Sequence, residues 1–297
     1  MADVQEEASL QRRPWDKKFH IYGGSISNTL MAECWADRSP LHEAALQGRL
    51  LPLRTLITQG FDVNVVTMDG VSALHDACLG GHAACASLLV RNGAKVNVVT
   101  VDGVTPLFNA CVSGSVRCVE MLLEHCPFPH PEYLAASPIH EAAKRGHKEC
   151  VELLLSKGAN IDLEIPRMGT PLFTACLFQK IDCIKMLLHL GADVQRGRGQ
   201  DTPLHAAAAA QADSTEVVEL LIDYGANVWS RNADGKRPVE LIPANGAVEK
   251  SLTLREGPSA LSQLCRLRVR QLLGPGRLHL VPSFQVPRCL IDFLCYR

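Results

Sequence analysis

The sequence predicts an all-α solenoid: helix–turn–helix units stacked through β-hairpin fingers, closed by a small helical module. Three observations predict it. Six segments share one pattern, and their starts are separated by 33, 33, 32, 33 and 32 residues. A glycine recurs one helix after most of them. A final amphipathic segment, "SALSQLCRLRVRQLLG" from Ser259 to Gly274, stands outside the period. The bulk numbers agree with an ordered chain, since 47% of its 297 residues are hydrophobic. A formal net charge of −1 argues against nucleic acid or an acidic membrane as partner, because both select basic surfaces. No apolar run reaches the roughly 18 residues of a membrane-spanning helix.

Residues 1–34 carry no repeat. "MADVQEEASLQRRPW" holds acidic residues and lacks the apolar stretch of a secretory signal. The expectation is a cytoplasmic protein in a reducing compartment, with the basic pair Arg12-Arg13 leaving nuclear residence open. "SNTLMAECWADR" is expected to fold back as an N-terminal cap, since end units must hide an apolar face, or else to line the binding surface.

The repeats occupy 35–250. Their starts read "SPLHEAALQG" (Ser39), "SALHDACLGG" (Ser72), "TPLFNACVSG" (Thr105), "SPIHEAAKRG" (Ser137), "TPLFTACLFQ" (Thr170) and "TPLHAAAAAQ" (Thr202). Serine or threonine caps a first helix, and proline at its first position loses no hydrogen bond. Paired alanines let two helices approach closely, and segments such as "CVELLL" supply bulk for the core. Gly93, Gly158, Gly191 and Gly225 suit helix C-caps. Turns at Asp69-Gly70, Asp102-Gly103 and Asp234-Gly235 suit extended hairpins. A partial seventh copy starts at Arg237, two residues late because the sixth carries an insertion. The third copy has Cys126-Pro127 where Gly-Ala is expected, with three prolines that disfavour a regular finger. That finger is either a partner contact or a tolerated loop variation.

The period and the T-P-L-H-x-A signature resemble the ankyrin repeat. The repeat slots also decide how single residues are read. His42, His75, His140 and His205 share one slot, so they tie one unit to the next instead of binding metal. Cys78, Cys111 and Cys176 share another slot, as do Cys85, Cys118, Cys150 and Cys183. They read as small buried apolar residues with free thiols. His82-x-x-Cys85 and His147-x-x-Cys150 have helical metal-pair spacing but follow the repeat, so no metal or cofactor is expected. No nucleophile elbow or phosphate cradle occurs, and the chain reads as noncatalytic.

Ankyrin-like stacks bind on the concave side made by fingers and first helices. The residue after the repeat histidine or phenylalanine is expected to face it: Glu43, Asp76, Asn109, Glu141, Thr174 and Ala206. Leu79, Lys144, Arg145 and Phe178 lie farther along the same helices, with Met68, Val101, Met168 and Arg198 at finger tips. These are the candidate contacts for a target protein.

Residues 251–297 form the terminal module. Leu261, Leu264, Cys265, Val269, Leu272 and Leu273 fall mostly on one side of a helix at about 100° per residue. The stripe either caps the last unit or meets another protein. The Arg-rich stretch 266–270 reads as a solvated face, and Arg268 projects into the apolar stripe, from which it must snorkel to water. Leu261-x-x-x-Cys265-x-x-x-Val269 resembles the elongin-binding BC box of a SOCS box, here about 259–273. "VPRCLIDFLCYR" is similar to a cullin box, about 281–295. Ankyrin repeats followed by this segment look like the ankyrin-repeat and SOCS-box family of cullin–RING ubiquitin-ligase adaptors. The resemblance implies that Leu261, Leu264, Cys265 and Val269 contact elongin C, which brings elongin B. It further implies that Val286, Pro287 and Leu290 contact cullin-5 with its RING subunit, and that the ankyrin repeats hold a target for ubiquitination and proteasomal degradation. The usual Leu-Pro-x-Pro is replaced by Val286-Pro287-Arg288-Cys289, and Leu280-Val281-Pro282-Ser283 is a second departure from it.

Overall fold

The structure is a computed structural model and describes residues 38–125, 137–210, 215–242, 247–254 and 261–296. Ser39–Arg297 forms one compact unit. The expected N-terminal cap, the proline-rich third finger and residues 255–260 lie outside the described residues.

The repeats fold as pairs of short helices: α1 (Pro40–Leu46) and α2 (Leu50–Thr58), α3 (Ala73–Leu79) and α4 (Ala83–Arg91), α5 (Pro106–Ser113) and α6 (Val116–His125). Then come α7 (Pro138–Arg145) and α8 (Lys148–Ser156), α9 (Pro171–Leu177) and α10 (Ile181–Leu190), α11 (Pro203–Ala209) and α12 (Thr215–Asp223). Five residues separate Ala209 from Thr215, against three between Leu177 and Ile181, which is the insertion read from the sequence. The seventh copy is a 3₁₀ turn, Pro238–Leu241, and α13 (Ala247–Leu254). The terminal module comprises α14 (Leu261–Leu273), a 3₁₀ segment Pro275–Ser283 and α15 (Arg288–Leu294).

Each first helix lies against the first helix of the next unit. The small residues permit this: Ala45, Ala77, Ala110, Ala142, Ala175 and Ala207 are wholly buried. Leu53, Leu89, Leu122, Leu154, Leu187 and Leu221 on the second helices fill the continuous core behind them. Burying each such leucine stabilises the stack by roughly 1.5–3 kcal/mol. Cys78, Cys85, Cys111, Cys118, Cys150, Cys176 and Cys183 sit in the same core as free thiols. Burial pushes Cys150 and Cys183 up to about 11 and 12, which suppresses the reactive thiolate. Cys118 moves the other way, to about 7, because the Cys78 thiol hydrogen-bonds to it.

The repeat histidines are inter-unit ties, and their neighbours explain the cap chemistry. Nε2–H of His42, His75, His140 and His205 donates to the carbonyls of Val71, Val104, Gly169 and Lys236 at 2.9–3.2 Å, one finger ahead. Nδ1 then accepts from the cap hydroxyl of Ser39, Ser72, Ser137 or Thr202. The Ser72 hydroxyl also accepts from the His75 amide, and where phenylalanine takes the slot the hydroxyl caps the helix by accepting from the amides of Phe108 and Phe173. Burial holds His75 and His140 neutral, with their pKa values pushed down to about 4. His82 is likewise committed within the stack, its Nε2–H donating to the Leu46 carbonyl across the stack at 3.0 Å.

The fingers correct one expectation. Among the described residues they form isolated bridges, Val66 to Ser72, Ile165 to Gly169 and Arg198 to Asp201, and no extended strands. The reason is local. Thr67 N–H donates to the Val71 carbonyl, but the Val71 amide donates to the Thr67 hydroxyl, so a side chain takes the place of a second ladder bond. Ser72 follows at once as the next helix cap.

Candidate functional site

Two surfaces matter: the concave side of the stack and the outer face of α14. On the concave side the structure separates the expected residues by accessibility. Glu43 and Arg145 are exposed, and Asn109, Leu79, Lys144, Phe178, Met168 and Arg198 are half-buried. Met68 and Val101 stand out at finger tips, 87% and 79% exposed. Asp76 and Glu141 are corrections: both are buried, as are Thr174 and Ala206 in the same slot. Close approach of successive first helices covers this slot wherever small residues line the contact. Glu141 accepts from Arg145 at 2.7 Å and lies 3.7 Å from Lys144, whose ammonium is 5.5 Å from the centre of the Phe178 ring. Lys144 and Arg145 therefore offer a surface whose charge is partly spent on an internal carboxylate. Arg198 pairs with Asp201 at 3.1 Å and covers Phe173, so its finger is stiffened from within.

Helix α14 reverses the usual amphipathic arrangement. Ordinarily the apolar stripe faces the core and the charged face meets water. Here Leu261 is 76% and Leu264 50% exposed, and Cys265 and Val269 are exposed beside them, continued by Leu272. The opposite face, Gln263, Arg266, Leu267 and Arg270, is the one held by the protein. Gln263 donates to the Ile222 carbonyl at 3.0 Å, at the end of α12. Leu267 rests on Gly225, where a Cβ would meet its Cδ1 at 2.9 Å; glycine at this left-handed C-cap (φ 92°) is what lets the helix sit so close. Arg270 is buried and donates to the carbonyls of Leu188 and Leu294 at 2.9 Å and of His189 at 3.2 Å.

The solvated-face reading of residues 266–270 is therefore wrong for two arginines. Only Arg268 is free-standing, exposed and hydrogen-bonded to Gln271 at 2.9 Å, as snorkelling from the stripe requires. Arg270 is drawn inward by main-chain carbonyls at the ends of α10 and α15, which accept from it, and Arg266 by the Phe293 and Tyr296 rings it lies over. Sequence periodicity could not show this, since the acceptors are main-chain atoms up to 82 residues away.

Behind α14, Leu278 and Val281 of the 3₁₀ segment are buried, and that segment packs on α10. Val281 is thereby withdrawn from the second cullin-like stretch, 280–283. Val286, Pro287 and Leu290 are exposed together at the start of α15, where Pro287 is the N-cap. Among the described residues no cluster of three metal-ligating side chains forms, and no helix is long and apolar enough to cross a membrane.

Family models for ankyrin repeats match residues 41–132, 128–198 and 199–233, and a SOCS-box model matches 257–295. Ankyrin repeat and SOCS box protein 11 of Homo sapiens is 61% identical over 277 residues, covering 93% of this chain and 83% of the relative. The protein of the same name from Danio rerio is 56% identical and aligns over 100% of both chains. Among solved structures, the human ASB11 ankyrin repeat domain is 59% identical with a TM-score of 0.72, covering 75% of this chain and 100% of that one.

Proposed function

This chain belongs to the ankyrin-repeat and SOCS-box family, and from that premise we propose that it is a noncatalytic substrate-recognition adaptor of an elongin B/C–cullin–RING ubiquitin ligase. The ankyrin stack, residues 35–250, holds a target protein. The module at 251–297 docks on elongin C through Leu261, Leu264, Cys265 and Val269, and on a cullin, by family cullin-5, through Val286, Pro287 and Leu290. The adaptor contributes proximity and orientation: it raises the effective concentration of target lysines near a charged conjugating enzyme, which favours ubiquitination and degradation of the target. The stack's candidate contacts are Glu43, Leu79, Asn109, Lys144, Arg145, Phe178, Met68, Val101, Met168 and Arg198. Asp76 and Glu141 act beneath that surface, as internal partners.

One observation carries the reading. The apolar stripe of α14 is left outside while the same helix is fastened by its polar face. A helix whose only task was to cap the last repeat would turn Leu261 and Cys265 inward, where each would gain burial energy. The competing reading, an ankyrin scaffold that only sequesters a partner, gives no use for that stripe. Co-expression with elongin B/C decides between them. The chain should co-purify stoichiometrically with elongin B/C, and Leu261→Ala with Cys265→Ala should abolish capture while helical content by circular dichroism stays unchanged. Retained capture by the double variant would exclude this docking assignment.

A further inference from the structure

The join between the terminal module and the repeats is built from groups that neither docking surface uses. Tyr224 occupies the slot before the C-cap glycine, where the other repeats have Asn92, Lys157 and Leu190. Its ring stacks on Tyr296, centroids 3.9 Å apart and planes 15° from parallel. Its hydroxyl meets Nδ1 of His189 at 3.0 Å. The Arg266 guanidinium lies 4.1 Å from the Phe293 ring centre and 4.3 Å from that of Tyr296, and Arg270 lies 5.2 Å from Tyr224. Tyr296 closes the arrangement by donating its hydroxyl to the Asp223 carbonyl at 2.7 Å.

Two features show that this is a held geometry and not incidental packing. Tyr296 has φ 58°, a left-handed backbone that a bulky residue adopts at a cost and keeps only when its surroundings enforce it. Arg270 is buried with its donors spread over three carbonyls from two separate elements, Leu188 and His189 at the end of α10 and Leu294 at the end of α15. Guanidinium suits this because it is planar, always charged, and carries five donors in a fixed fork that also stacks on aromatic faces.

We propose that Arg266, Arg270, Tyr224 and Tyr296 form a latch that fixes the direction of the terminal module against the fifth and sixth repeats. The chain itself then sets the angle between the surface that holds a target and the stripe that meets elongin. A loose joint would let a held protein wander relative to the ligase; the latch confines it to one orientation, and effective concentration depends on such geometry. These are positioning residues, for Arg266 and Arg270 lie on the face of α14 opposite the exposed stripe, and Tyr224 and Tyr296 pack against that face from just past the ends of α12 and α15. The inference deepens the adaptor reading and takes its meaning from it.

The test uses the full chain with spin labels attached through non-cysteine handles at the exposed positions Glu120 on α6 and Ser262 on α14. The unmodified sequence should give one narrow distance distribution. Tyr296→Ala with Arg270→Gln should widen it at least twofold, whereas Tyr296→Phe, which keeps the stack, should not. Elongin B/C capture by the unlabelled variants should equal that of the parent. An unchanged width in the double variant overturns the latch, and so does loss of capture with the repeats intact, because the residues would then belong to the elongin contact. Should the double variant lose its helical signal, Arg270→Lys, which keeps charge but not the fork, is the measurement: intermediate width supports the latch and parental width overturns it. Failure of the adaptor reading looks different, as no elongin B/C on the parent chain whatever the distances.

Discussion

The joins within the ankyrin stack and the join between the stack and α14 are made from opposite materials. Inside the stack, alanine, leucine and cysteine side chains meet, and neutral histidines among them are tied to carbonyls. At α14, arginine and glutamine reach main-chain carbonyls over a tyrosine pair, and Leu261, Leu264 and Leu272 face outward. A join of the first kind is strong and unspecific in direction, because hydrophobic burial is not directional. One of the second kind contributes less, but hydrogen-bond geometry fixes orientation and leaves an apolar face available. A solenoid needs the first property, and a module that must present a stripe to another protein needs the second.

The sharpest way to break this comparison is to truncate a leucine in each region. Leu154→Ala removes a fully buried side chain and should cost about 2–5 kcal/mol in urea-melt stability. Leu261→Ala should stay within about 0.5 kcal/mol of the parent. Comparable losses at the two sites would show that the stripe is part of the core after all.

Acidification sharpens it next, because it acts on the neutral histidines of the stack while the guanidinium groups of the join keep their charge. His75 and His140 have folded pKa values of about 4 against an ordinary 6.5. The unfolded chain therefore binds more protons between these values, and stability falls as pH drops from about 6.5 toward 4. The loss approaches on the order of 2–3 kcal/mol for each histidine at the acid end. Denaturation midpoints taken from pH 7.5 down to 5 should decline, and His140→Phe, which copies the residue found in the third and fifth repeats, should decline less steeply. Equal slopes would count against neutral histidine ties.

Arg270→Gln leaves carbonyls unpaired and should cost about 1–3 kcal/mol, seen as faster amide exchange in α14 and α15 with protection in α7–α10 retained. Smallest is Arg145→Ala. Its half-exposed pair with Glu141 contributes about 1 kcal/mol at most, and Lys144 remains beside the carboxylate. Charge reversal there is a poor test of target binding, since it would set a second carboxylate against buried Glu141.

The amino-acid sequence by itself determined the repeat register, the helix pairs, the glycine caps, the histidine ties and the presence of an unmatched apolar stripe. Those features are local or periodic: a cap, a slot or a 3.6-residue face is written within a few residues. Tertiary structure alone decided which face of α14 the protein keeps, that Asp76 and Glu141 disappear between first helices, and that fingers stop at a single bridge. Each of those outcomes turns on main-chain carbonyls or on the closeness of neighbouring units, neither of which has a letter in the sequence. An arginine reads as a water-seeking residue until the fold sets unpaired carbonyls and a tyrosine pair around it.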